Sequence, residues 1–98
     1  MTADAADPTS PAFSSLVGVK VVVDTDTSFV CVGTLESWDA DFLTLADVDV
    51  HDMHDSRVTK EIYALEALKH GIRANRTRVH LVRSRVVTIS RLEDVIRY

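Results

Sequence analysis

Apolar and polar positions alternate through residues 28–50 in a way that organises the whole chain. Val30, Val32 and Thr34 alternate with Phe29, Cys31 and Leu35, so both faces of this run carry apolar groups. That is the pattern of a strand covered on both sides. Gly33 lies inside the run, where a glycine permits a sharp bend or a close backbone approach. Trp38-Asp39-Ala40-Asp41 then turns the chain, with aspartates suited to accepting from turn amides. A second strand runs from Phe42 to about Val50. Phe42, Thr44, Ala46, Val48 and Val50 are expected on one face, and Leu43 and Leu45 on the other. The second face turns polar at Asp47, Asp49 and His51, as in a strand that bends out of a covered interior. A bent hairpin of this kind suits a small, strongly curved barrel.

The flanking segments add shorter elements. Residues 1–9 are small, acidic and proline-containing, the composition of a disordered tail. Ser10 and Pro11 fit the cap and first position of a short helix, Pro11 to Val17, that buries Phe13 and Leu16 and ends at Gly18. A first strand follows from Val19 to Asp24, with Val19, Val21 and Val23 on one face. Asp24–Thr27 is a polar hairpin turn. Beyond a polar connection at 51–58, Thr59 caps a helix to His70, with Gly71 at its C-cap. Ile62, Leu65 and Leu68 form its apolar stripe, with Ile72 packed beneath the cap. Arg78–Val82 and Val86–Ser90 read as two more strands around an Arg83-Ser84-Arg85 turn, with Val79 and Leu81 inward and Arg78 and His80 outward. Leu92, Val95 and Ile96 are expected to dock back on the barrel.

Two of these stretches carry a family resemblance. Val32-Gly33-Thr34-Leu35-Glu36-Ser37-Trp38-Asp39 resembles the first signature of the Sm and Sm-like (LSm) proteins, and Gly33–Asp39 is also similar to the matching run of bacterial Hfq. Leu81–Ser90 resembles the second signature, strand, short turn, strand, although the usual Arg-Gly turn has no glycine here. Order and spacing hold over about residues 10–50 and 78–90. The resemblance implies a mainly β fold: an Sm-like (SH3-like), five-stranded, strongly bent open barrel with a short N-terminal helix. The domain would span 10–98, with a helical insertion at about 51–77 between strands 3 and 4, a departure from the plain hairpin loop usual in the family.

Composition and charge narrow the chemistry. Ninety-eight residues make one small domain. The single cysteine, Cys31, excludes an internal disulfide, and its place in a covered strand makes it a small apolar residue rather than a reactive thiol. No membrane span and no secretory leader are apparent, which points to the cytoplasm. Residues 1–56 hold eleven acids and one base, a balance of −10, whereas residues 57–98 hold ten bases and four acids, a balance of +6. Such a split suits separate polar partners, self-complementary association or plain solvation. Asp47, Asp49, His51, Asp52, His54 and Asp55 gather metal-type donors, but without a helical i, i+4 pair or Cys-rich spacing, so no metal or other cofactor is assigned. No glycine-rich phosphate loop and no nucleophile–base motif is present, so an enzyme is not expected.

The resemblance implies a homo-oligomeric ring, with strand 4 of one copy pairing with strand 5 of the next, and single-stranded RNA bound at the pore. Carried onto this chain, the family aspartate is Asp39, and the second loop supplies Arg83, Ser84 and Arg85. The base-reading asparagine falls at Leu43 without a gap, or at Phe42 with a one-residue deletion, and neither side chain can bond a base edge. Phe42 either stacks on a base or belongs to the core. Arg73, Arg76 and Arg78 would lie on one rim. The alternative is a non-catalytic oligomeric scaffold that binds a protein partner through helix 59–70, without RNA.

Overall fold

Alternating β-branched residues in five segments pair into one antiparallel sheet. The computed structural model describes residues 11–54 and 56–97. The strands are β1 (Lys20–Thr25), β2 (Phe29–Trp38), β3 (Phe42–Asp52), β4 (Arg76–Val82) and β5 (Val86–Arg91), in spatial order β4-β3-β2-β1-β5. Helix α1 (Pro11–Ser14) precedes β1, and helix α2 (Lys60–His70) lies between β3 and β4. Single 3-10 turns occupy Arg83–Arg85 and Leu92–Asp94. The expected tail at 1–9, the Ser10 cap and Asp55 lie outside the described residues.

The sheet is bent by two bulges in the β2–β3 pairing. Val32 faces Asp49 while Thr34 faces Ala46, so β3 carries one extra residue there. Leu35 faces Leu45 while Ser37 faces Thr44, so β2 carries the other. Asp47 takes the strain of the first bulge with φ +51°, a left-handed conformation that aspartate tolerates. Gly33 lies opposite it. A Cβ there would sit 3.1 Å from both the Ala46 carbonyl oxygen and Val48 Cγ2, so the expected close approach is real.

This bulge corrects the expected facing of β3. Leu43, Leu45 and Val48 are all fully buried in one cluster with Val21, Val23, Cys31 and Leu35. The extra residue at Asp47 shifts the alternation by one, so Val48 joins Leu43 and Leu45 instead of Phe42. Phe42 is 42% exposed and is therefore not core.

A second, smaller cluster covers the outer face of β2. Val32, Ala67 and Leu92 are buried there, with Val22, Tyr63, Leu68, Ile72 and Val95 packed around them. β2 is thus covered on both sides, as its pattern indicates. Thr59 caps α2 by accepting from the Ile62 amide, and the Gly71 amide closes the other end on Ala67 O. The buried helix residues are Ala64 and Ala67; of the expected stripe, Leu68 packs on this cluster with Ile72, whereas Ile62 stays 46% exposed. Small side chains let the helix approach the sheet, and the helix is anchored one turn earlier by Lys60. Its ammonium donates to Asp24 Oδ1, Thr25 O and Thr27 O, which ties α2 to the β1–β2 hairpin. Ile96, expected to dock, is 71% exposed, whereas Leu92 and Val95 do pack.

The N-terminal helix is shorter than expected. Only Pro11–Ser14 is helical, and Gly18 ends the following turn with φ +81°. The Gly18 amide donates to Leu35 O, and the Leu35 amide to Val19 O, which fixes this segment against β2. Phe13 and Leu16 are half-buried against the main core. Among the described residues no helix is long and apolar enough to cross a membrane.

Candidate nucleic-acid interface

The β2–β3 turn is built by Asp39. Its Oδ1 accepts from the amides of Asp41 and Phe42, both at 2.8 Å, and its own amide donates to Phe42 O. These two amides hold the Asp39 carboxyl below the ordinary aspartate range, with the Arg83 charge adding to the effect. Asp39 therefore shapes the turn, and its oxygen is directed at backbone.

The turn between β4 and β5 is brought against this one because Phe42 pairs with Val82. The Arg83 amide donates to Asp41 O, and its Nη1 donates to Asp39 O at 2.7 Å. Its guanidinium lies over the Phe13 ring, 4.6 Å from the centroid. Arg83 has no carboxylate partner among the described residues. Phe42, which ends the first turn, is 42% exposed and lies edge-on to His80, with ring centroids 6.4 Å apart. Arg85 turns the other way, donating from Nε to Asp26 Oδ1 at 2.8 Å. Ser84 between them is exposed. Of the five residues read from sequence, Asp39, Phe42 and Arg83 share one mouth, whereas Arg85 belongs to the β1–β2 hairpin.

Three neighbours were not legible as site residues. His80 shares a 2.9 Å hydrogen bond with Thr44 through Nδ1. Phe13 lies under Arg83 and packs against Trp38, with ring centroids 5.3 Å apart. The cross-strand register that pairs Thr44 with His80 would have found the first; nothing local would have found the second.

The charge split is partly consumed within the chain. Lys60–Asp24, Arg78–Glu36 and Arg85–Asp26 each join a base of the second half to an acid of the first. The acidic cluster is likewise engaged: Asp49 accepts from the Tyr63 hydroxyl and from Asn75 Nδ2, and His51 stacks on Tyr63 at 4.8 Å. Burial and the Asp49 carboxylate push the Tyr63 hydroxyl well above its ordinary range. Asp52 accepts from Ser28 Oγ and the His54 amide. Among the described residues no group of three such side chains could hold a metal. Cys31 is buried and its thiol is pushed up to about 11, chiefly by burial, so it is inert packing.

The five-stranded antiparallel fold is similar to that of a solved Sm protein of Pyrococcus abyssii in complex with a uridine heptamer. The likeness covers 87% of this chain and 99% of that one, with a TM-score of 0.58 at 15% identity. The chain has the Sm fold. A chain from the NatC complex bound to Gag peptide and CoA is also similar, over 79% of this chain and 86% of that one, with a TM-score of 0.50 at 23% identity. No protein-family model and no curated protein matches the sequence. Within the Sm fold, the position implied for the base-reading asparagine without a gap holds Leu43, which is fully buried.

Proposed function

We propose that the chain binds single-stranded RNA at the mouth formed by Asp39–Phe42 and Arg83, as part of a closed ring of its own copies. The carrying observation is Arg83, a cation without a carboxylate partner among the described residues, bonded to Asp39 O in the turn that ends at the exposed Phe42. A cation and an exposed aromatic are the two groups that hold a phosphate and an unpaired base. The likeness to an Sm protein solved with a uridine heptamer supports this reading. β4 is paired only with β3, and β5 only with β1, among the described residues, which leaves two outer edges for neighbouring copies. With Leu43 buried, base-edge hydrogen bonding from that position is lost, so binding should be tolerant of sequence. Asp41, exposed at the same mouth, weakens phosphate binding.

Anisotropy of labelled oligouridine, titrated at about 50 and about 200 mM salt, tests this. Affinity should fall with salt, and Arg83→Glu should abolish most of it. Unchanged affinity in that variant would overturn the assignment of the mouth.

A second reading is a protein scaffold that uses α2. Exposed Ile62 and Ile96 flank a shallow cleft of about 320 Å³ with Leu65, Glu61 and Asp94. The likeness to a chain of a multiprotein complex is in keeping with it. Ile62→Asp with Ile96→Asp should then abolish capture of a protein partner while leaving RNA affinity intact; capture that survives the double change would exclude this surface.

A further inference from the structure

Phe13 occupies an unusual position for a residue of a four-residue helix. Its ring lies 5.3 Å from the Trp38 ring at a 31° tilt and under the Arg83 guanidinium at 4.6 Å. A flat apolar ring against an indole and beneath a guanidinium is how an unpaired nucleobase is held by protein. The occupant is only lightly secured. α1 contains no buried residue, and Phe13 itself is half-buried. Besides the packing of Phe13 and Leu16 on the main core, the segment is held at its far end, where Gly18 bonds Leu35 and Arg91 Nη2 donates to Ser15 O at 3.0 Å. Phe13 could therefore leave while residues 15–18 stay in place. The arrangement also leaves one polar group unsatisfied. Trp38 Nε1 is buried and has no hydrogen-bond partner among the described residues, a state that disfavours the closed arrangement.

We infer that the place held by Phe13, against Trp38 and beneath Arg83, is a base-stacking site, and that Phe13 is its resident occupant, exchanged for an unpaired base of single-stranded RNA. The inference rests on the RNA reading above and deepens it. Trp38 becomes the stacking platform and Arg83 the cation over the base. The N-terminal segment becomes an intramolecular competitor that lowers apparent affinity by the fraction of time it fills the site. Departure of Phe13 also opens the indole N–H to a base carbonyl or to water.

Trp38 is the only tryptophan, so its emission reports this site alone. Oligouridine titrated into the unmodified full chain should quench Trp38 emission in step with the anisotropy of the labelled RNA. Phe13→Ala should tighten binding by about threefold to tenfold, the gain from removing a competitor that is mostly bound. RNA that binds without altering Trp38 emission, or that binds Phe13→Ala more weakly, would overturn the exchange and leave the RNA reading standing. Binding by Phe13→Ala alone would support the exchange, because the competitor would then mask the site. No binding by either protein would sink both readings together. The emission titration needs no substitution, so it decides the matter even if Phe13→Ala fails to fold.

Discussion

β2 and β4 are both strands of alternating apolar residues, yet they end in opposite environments. β2 buries Val30, Cys31, Val32, Gly33 and Leu35, because the barrel interior covers one face and α2 with the Leu92 turn covers the other. β4 buries none of its residues, and neither does β5; Val79, Leu81, Val86 and Ile89 are only half-buried. The contrast comes from place in the sheet, not from hydrophobic content. Central strands carry the stability of the fold. Edge strands, with Val82 50% and Val87 62% exposed, keep apolar surface and an open backbone edge for something else.

The largest effect should come from the centre. Leu35→Ala removes a fully buried side chain and should cost about 2–5 kcal/mol in denaturant melts. A loss under about 1 kcal/mol would mean that the core is not where the burial places it. Thr59→Ala should cost about 1 kcal/mol by removing the α2 cap, with the barrel still folded. Loss of the whole fold would show that α2 is as integral as β2. At the edges, Val82→Lys with Val87→Lys should change the stability of the isolated chain by less than about 0.5 kcal/mol each, while the mass of any assembly falls in size exclusion. Intact assembly in that variant would remove these edges from the interface.

Acid should act on the turn rather than on the core. Asp39 has its carboxyl lowered in the folded chain by two amide bonds. Its stabilising contribution is therefore complete above the ordinary aspartate range and is lost as pH falls through the lower folded value. Melting temperature followed downward in pH should drop less steeply for Asp39→Asn than for the unmodified protein. Identical profiles would mean that Asp39 is not bonded as described.

Much of the fold was legible because it rests on local pattern. The alternation through Phe29–Trp38, the Thr59 and Gly71 caps and the bend at Gly33 are each encoded within a few residues. What escaped depended on partners far along the chain. The phase of β3 turns on a positive φ at Asp47, and hydrophobicity carries no record of that angle. The buried face of α2 was set by Lys60 reaching the β1–β2 hairpin and by the small Ala64 and Ala67, against the pull of the larger Ile62. At the candidate site, the two turns were found by their residues. Their union through Arg83, Phe13 and Trp38 spans seventy positions of sequence and becomes visible only when the chain is folded.

The proposal that the open edges β4 and β5 are completed by further copies of this chain is tested most directly by its mass in solution. Multi-angle light scattering on the full chain should give about 65 or about 76 kDa, six or seven copies of a 10.9 kDa chain. A monodisperse species of 10.9 kDa at micromolar concentration would contradict it.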